Sequence, residues 1–148
     1  MEIRQLHAED IGSLIALYTQ LDEINAELSF EETLSVWKNE IEPNGSIKYF
    51  GAVENGRVVS SCYCVIIPNL TVFSRPIGFI ENVVTDAGFR RQGLAKKVIG
   101  QAIEFAKEHG CYKVILQSGR KRAEAHKLYE SMGFSGDTKK AFDMRLPL

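Results

Sequence analysis

Apolar positions along the chain change period several times, and the changes mark out the elements. Residues 2–6 alternate in the manner of a short strand. From Ala8 to about Leu21, Ile11, Leu14, Ile15, Leu17, Tyr18 and Leu21 fall at helical spacing, which predicts an amphipathic helix. Asp22 to Leu28 breaks that pattern. Ser29-Phe30-Glu31-Glu32 then forms an S-x-x-E capping box opening a second helix with Leu34, Trp37 and Ile41 on one face, which Pro43-Asn44-Gly45 ends. Ile47–Val53 and Arg57–Ile67 are β-rich runs joined by Asn55-Gly56. That dipeptide suits a type I′ turn, whose two central residues need positive φ, so a β-hairpin is predicted. The connection from Pro68 to Pro76 carries Leu70, Val72 and Phe73, apolar where loops are usually polar; it either packs onto the domain or lines a pocket.

The second half reads as alternating strand and helix. Ile77–Thr85 is an apolar run with the composition of a central buried strand. Gly93–Lys107 follows as a helix with Leu94, Val98, Ala102, Phe105 and Ala106 on its inner stripe, closed by His109-Gly110. Tyr112–Gln117 is the next strand, parallel to the central one because a helix of adequate length joins them. After Ser118-Gly119, Arg122–Met132 places Ala125, Leu128, Tyr129 and Met132 on one helical stripe, stopped by Gly133, and Ala141–Leu146 is expected as a last strand. The result is a mixed α/β arrangement in one domain spanning residues 1–148.

Composition narrows this picture. At 148 residues the chain is long enough for one domain burying about 70% of its extended surface. No apolar run approaches the ~20 residues of a membrane span, and the polar start lacks the features of a signal peptide, so a cytoplasmic protein without membrane attachment is expected. A net charge of −1 argues against a nucleic-acid partner, and cationic residues must act locally. Cys62, Cys64 and Cys111 cannot all pair within one chain. Without nearby ligands to complete a metal set they read as structural thiols, and no metal is expected.

The chemistry concentrates in Phe79–Ala95, FIENVVTDAGFRRQGLA. An apolar strand breaks at Thr85-Asp86-Ala87-Gly88 and restarts as a glycine-containing basic turn opening a helix. The first helical N–H groups have no intrahelical acceptor and the macrodipole adds partial positive charge, so such a turn is suited to a phosphate. Arg90, Arg91, Lys96 and Lys97 supply cations around it. The turn lacks the GK[ST] ending of a nucleotide-triphosphate loop and is not G-x-G-x-x-G, which disfavours ATP hydrolysis and NAD binding. Within the apolar strand stands Glu81, where an unpaired carboxylate would be expensive; it marks either a cleft, with a pKa raised toward that of a base, or a structural salt bridge. Tyr129, on spacing alone, is a core aromatic beside Leu128 and Met132.

Two segments resemble one family. Arg90-Arg91-Gln92-Gly93-Leu94-Ala95 is similar to the R/Q-x-x-G-x-G/A acetyl-CoA signature of the GNAT superfamily of N-acetyltransferases, with Ala95 at the place of the commoner second glycine. Ala125–Phe134 resembles that family's A-x-x-L/F-Y-x-x-x-G-F segment, and the order of elements fits along nearly all of the chain. The resemblance implies a mostly antiparallel sheet of six to seven strands with a parallel central pair splayed around the cofactor, flanked by about four helices. It implies acetyl-CoA as co-substrate, with pyrophosphate on the backbone from Arg91 to Lys96, and pantetheine along Val83, Val84 and Thr85, where a backbone N–H polarises the thioester carbonyl. Tyr129 becomes the general acid to the thiolate, and Glu81 the base that deprotonates the amine directly or through water.

Gln92, Leu94, Lys97, Arg122 and His126 complete the expected cofactor set. Arg122 stands where asparagine is frequent, and Gly119–His126 resembles a version found in some small-molecule members, including aminoalkylphosphonate N-acetyltransferases. The expected reaction is direct attack by a small-molecule primary amine in a ternary complex. Its acceptor pocket is expected from residues 22–29, 68–76 and 136–141. A protein acceptor, and a non-catalytic acyl-CoA-binding module, are the competing readings. A homodimer is compatible with either.

Overall fold

The computed structural model describes residues 1–21 and 27–147, in two compact units, Met1–Leu116 and Gln117–Leu148. The first unit starts with β1 (Glu2–Gln5), then a 3-10 turn at Ala8–Asp10 that runs into α1 (Ile11–Tyr18). Helix α2 (Phe30–Val36) continues as a π-turn over Trp37–Ile41, with Glu42 N donating to Trp37 O at 2.8 Å. Strands β2 (Ile47–Glu54) and β3 (Arg57–Ile67), the four-residue α3 (Thr71–Ser74), β4 (Ile77–Thr85), a 3-10 turn (Ala87–Phe89), α4 (Leu94–Glu108) and β5 (Lys113–Leu116) follow. The second unit holds α5 (Ala123–Ser131).

Local chemistry accounts for several boundaries. Ser29 caps α2 by accepting from Glu32 N at 3.3 Å, half of the expected capping box. Asn55 and Gly56 have φ of 51° and 77°, the pair of left-handed residues that a type I′ hairpin needs. At the start of the chain, the Arg4 guanidinium grips Asp10 with two nitrogens at 2.7 and 2.9 Å, and His7 N adds a third bond at 2.8 Å. Burial alone would raise the Asp10 carboxyl; the bonds from Arg4 and His7 outweigh it and hold its pKa below the ordinary value.

The five strands lie in the order β1-β2-β3-β4-β5, antiparallel except for the parallel β4–β5 pair. Successive residues of β2 serve opposite faces: Tyr49 packs on Trp37, and Phe50 on Phe105 of α4. On the α1/α2 face the core comprises Leu6, Ile11, Leu14, Leu17, Trp37, Val53, Val58 and Val84. On the other face α4 buries Leu94, Val98, Ile99, Ala102, Phe105 and Ala106. Each large side chain so buried contributes about 1.5–3 kcal/mol. A side chain at Gly78 would place its Cβ 2.9 Å from that of Ala106, so α4 approaches β4 closely only because that position is glycine.

Some expectations are corrected. Among the described residues the sheet has five strands rather than six to seven, because residues 141–147 form no strand: Phe142, Met144 and Leu146 alternate as a strand would but are exposed. The apolar tip of the connection at 68–76 does not pack onto the domain. Val72, Phe73 and Ser74 all have left-handed φ, and Leu70 and Phe73 are 91% and 97% exposed. The first helix is shorter than its apolar period, ending at Tyr18, and Asp22–Ala26 of the expected acceptor loop lie outside the described residues.

Candidate active site

The turn after β4 is organised by a buried carboxylate. Asp86 accepts from Gly88 N at 2.9 Å and from Gln20 Nε2 at 3.0 Å, and pairs with Arg57 of β3. Gln20 also accepts from Ala87 N at 2.9 Å, so α1 and the turn are tied through one amide. The Gly88 N–H first, then the Gln20 amide, hold the Asp86 pKa below the ordinary value, with Arg57 and Arg90 acting the same way against the cost of burial. Neither Gln20 nor Asp86 was singled out by sequence; an acid before a glycine turn carries no signal of what it will bond.

Beyond Asp86 the chain forms a concave run of backbone. Arg91 and Gly93 both have left-handed φ, 62° and 72°, and Gly93 is the cap of α4. Alternating conformations of this kind aim successive N–H groups into a hollow, here continued by the first turn of α4 at Leu94, Ala95 and Lys96. Nothing lies within 4 Å of where a Gly93 Cβ would stand, so the hollow is open there. Arg90, Arg91, Gln92, Lys96 and Lys97 are exposed around it, Ala95 is half-buried, and Leu94 is buried as the anchor of the helix start. Arg90 Nε donates to Thr85 O at 3.3 Å, joining the turn to the end of β4.

The strand leading to the turn is itself split. Strand β4 pairs with β5 only over Ile77–Ile80 against Lys113–Leu116, and among the described residues no strand pairs with Asn82–Thr85 on that side. On its other edge the register with β3 jumps from Ser61↔Val84 to Tyr63↔Glu81, and Asn82 takes a φ of 51°. This is a β-bulge, which breaks the pairing and redirects backbone groups. Half-buried Val83, buried Val84 and half-buried Thr85 therefore lie beyond the end of the β5 pairing, while Ser60 Oγ and Thr85 Oγ1 meet at 2.8 Å on the β3 side.

Glu81 is half-buried and belongs to a row across three strands, Tyr49↔Tyr63↔Glu81. Directly opposed residues share a face, so all three look toward α1 and α2. Tyr49 and Tyr63 stack at 4.6 Å and Trp37 leans on Tyr49 at 5.0 Å. Burial, then the Glu81 carboxylate, push the Tyr63 hydroxyl pKa up. Tyr18 of α1 faces the same group: burial and Tyr49 raise its pKa, opposed by the Asn82 side chain. Sequence had placed Glu81, but the aromatic row beside it required the hairpin register.

The second unit is described on its own. Helix α5 follows a turn in which Arg122 N donates to Gly119 O at 3.1 Å, and His126 Nε2 meets the same carbonyl at 2.8 Å. Arg122 is exposed as the cap residue and His126 is half-buried. Tyr129 is the buried residue of α5; its ring meets Phe134 edge-on at 6.2 Å, and Phe134 N donates to Tyr129 O at 3.0 Å after Gly133 turns the chain at φ 97°.

A mixed sheet with one parallel pair, a bulge in its central strand and an N–H hollow at the following helix start define a mixed α/β class of fold, and comparison with known proteins gives the family. The model of the Acetyltransferase (GNAT) family matches residues 12–134. The chain is 34% identical over its whole length to a glucosamine 6-phosphate N-acetyltransferase of Trypanosoma brucei brucei, covering 96% of that protein. A solved structure described as an acetyltransferase from Agrobacterium tumefaciens strain C58 superposes with a TM-score of 0.90 at 36% identity, covering 99% of this chain and all (100%) of that one. The glucosamine-6-phosphate N-acetyltransferase of Arabidopsis thaliana gives 0.83 at 27% identity, covering 99% and 97%. This chain belongs to the GNAT acetyltransferase family and is an acyltransferase.

Proposed function

We propose that the protein transfers the acetyl group of acetyl-CoA to the primary amine of a small molecule by direct attack in a ternary complex. The observation that carries this reading is the continuity of the β4 segment beyond the β5 pairing, the bulge at Asn82 and the N–H hollow at Arg91–Lys96. Together they suit one extended, amide-bearing thioester ending in a pyrophosphate. The cradle fits the anion chemically: left-handed Gly93 keeps the backbone approachable, and the surrounding cations balance phosphate charge. When bound, acetyl-CoA supplies an activated acyl carbon. A backbone N–H of Val83 or Val84 polarises its carbonyl, the Glu81 carboxylate or a water it orders takes a proton from the ammonium, and the Tyr129 hydroxyl protonates the departing sulfur.

Several observations support the finer points. Cys62 and Cys64 are buried thiols whose ionisation is opposed chiefly by burial, Cys64 pushed up to about 12, so neither offers the thiolate that a covalent acetyl-cysteine route needs. Two of the relatives named above are glucosamine 6-phosphate N-acetyltransferases, which favours a small acceptor over a protein. Three free thiols suit a reducing, cytoplasmic location. The exposed apolar side chains of Phe142, Met144 and Leu146 suit burial against a second copy, hence a homodimer.

Initial rates of coenzyme A release over a matrix of acetyl-CoA and amine concentrations test the proposal. Intersecting reciprocal plots are expected for the ternary complex. Parallel plots would overturn direct attack. Calorimetric binding of acetyl-CoA with no thiol release, for any amine in a panel of sugars, aminoglycosides, aliphatic and arylalkyl amines, would leave a binding module instead.

A further inference from the structure

On the α1/α2 face, a cavity of about 250 Å³ is lined by Ile11, Leu14, Val36, Trp37, Ile41 and Tyr49, with Tyr18, Glu32 and Thr33 completing it. Its walls are almost wholly apolar. Among the described residues the buried Trp37 Nε1, on this lining, has no hydrogen-bond partner, a cost that a bound acceptor atom can answer. Tyr49 belongs both to this cavity and to the cross-strand row, so the aromatic surface is continuous from the cavity, over Tyr49 and Tyr63, to the carboxylate of Glu81. Tyr18 of α1 lines the same cavity.

The segment between Arg4 and Lys38 holds no lysine or arginine, and its described residues carry the acids Glu9, Asp10, Glu27, Glu31 and Glu32. Of these Asp10 is bound to Arg4, and Glu27, Glu31 and Glu32 are exposed. Among the described residues that line the cavity there is one acid, Glu32, and no lysine or arginine of the kind that phosphate recognition uses.

Resting on the reading that Glu81 receives the acceptor amine, we propose that the acceptor is a primary alkylamine with an apolar or aromatic body, an arylalkylamine for instance, rather than a phosphorylated amino sugar. The ammonium lies against Glu81 and the faces of Tyr63 and Tyr49, attracted by the carboxylate and the rings. The body enters the cavity, where a polar atom on it can accept from Trp37 Nε1. The size is adequate, since an aliphatic cavity of about 150 Å³ already holds a benzene ring.

Trp37 is the chain's one tryptophan, so its fluorescence reports occupancy without any turnover. With saturating coenzyme A, 2-phenylethylamine is expected to change the Trp37 emission saturably. Glucosamine 6-phosphate is expected not to. In coenzyme A release assays 2-phenylethylamine should show at least a tenfold lower KM than glucosamine 6-phosphate, about the discrimination an apolar pocket supplies. Filling the cavity with Thr33→Trp should raise the amine's KM by about tenfold or more, leaving the KM for acetyl-CoA and the melting temperature close to wild type. Because that substitution adds a fluorophore, its effect is read by kinetics alone. Preference for glucosamine 6-phosphate or an aminoglycoside, unaffected by Thr33→Trp, would overturn the acceptor assignment and leave the N-acetyltransferase reading intact. Acetyl-CoA binding without turnover of any amine would overturn both. A variant that melts early is replaced by Val36→Trp on the same wall, for which the same outcomes decide.

Discussion

At the scale of single residues, the proposed chemistry divides between groups that move protons and groups that hold the turn. Tyr129→Phe removes one oxygen from α5 and keeps the ring that meets Phe134, so the fold should be retained. Turnover is expected to fall about two orders of magnitude with acetyl-CoA affinity nearly unchanged, the ordinary size of a general-acid effect. An unchanged kcat in a stopped or continuous thiol assay would remove Tyr129 from the mechanism. Asp86 is a holding group and its signature is stability. Its folded pKa is depressed by the Gly88 N–H and the Gln20 amide, so its contribution is complete above the unfolded aspartate value of about 3.9 and disappears as pH falls through the lower folded value. Asp86→Asn should therefore be less stable by about 1–3 kcal/mol near pH 7, where a buried hydrogen-bonded charge is lost, and the gap to wild type should close on acidification below about pH 4. Urea unfolding at a series of pH values checks this; a gap constant with pH would mean the carboxylate charge contributes nothing.

Among the elements, the legible ones were those whose local physics has one solution. Asn55-Gly56 needs left-handed residues and obtains them, Ile77–Thr85 forms a strand with the bounds its apolar run implied, and the helix after it forces β5 parallel. The site's decisive irregularities were not legible. Asn82 sits in a run that reads as uninterrupted strand, and only the mismatch of two pairing registers across β3 forces it to bulge. The π-turn at Trp37 likewise continues a good helical period and differs from it by a single inserted hydrogen-bond step. Residues 141–146 alternate as a strand, but alternation supplies a pattern and not a neighbour to pair with. The helix-opening turn is where sequence and structure agree most usefully, and it gives a test at this scale. Gly93→Ala puts a Cβ on a left-handed residue, at about 1–2 kcal/mol, and into the open hollow. Stability should fall by about that amount and the KM for acetyl-CoA should rise several-fold while the KM for the amine stays put. Equal effects on both substrates would place the hollow outside cofactor binding.

For the molecule as a whole, a net charge of −1 conceals an unequal distribution that should be visible in how salt acts on each substrate. Arg90, Arg91, Lys96 and Lys97 are exposed around the turn where an anionic cofactor would enter. Residues 5–21 and 27–37 carry acids and no lysine or arginine, on the side where the amine is proposed to enter. Each field is local, because charges separated by more than about 8 Å are largely screened at physiological ionic strength. Treated as a uniform weakly negative sphere, the protein would repel acetyl-CoA slightly, and added salt would lower that substrate's KM. The segregated charges predict the opposite sign. Raising sodium chloride from about 20 to 300 mM should increase the KM for acetyl-CoA and the KM for a cationic amine, each by several-fold, with kcat little changed once both sites are saturated. Replacing Lys96 and Lys97 with glutamine should flatten the salt response of acetyl-CoA and leave that of the amine intact. If the two responses remained coupled in that variant, salt would be acting on the fold or on a shared step, and the separation of an anion-attracting turn from a cation-attracting helical face would have to be abandoned.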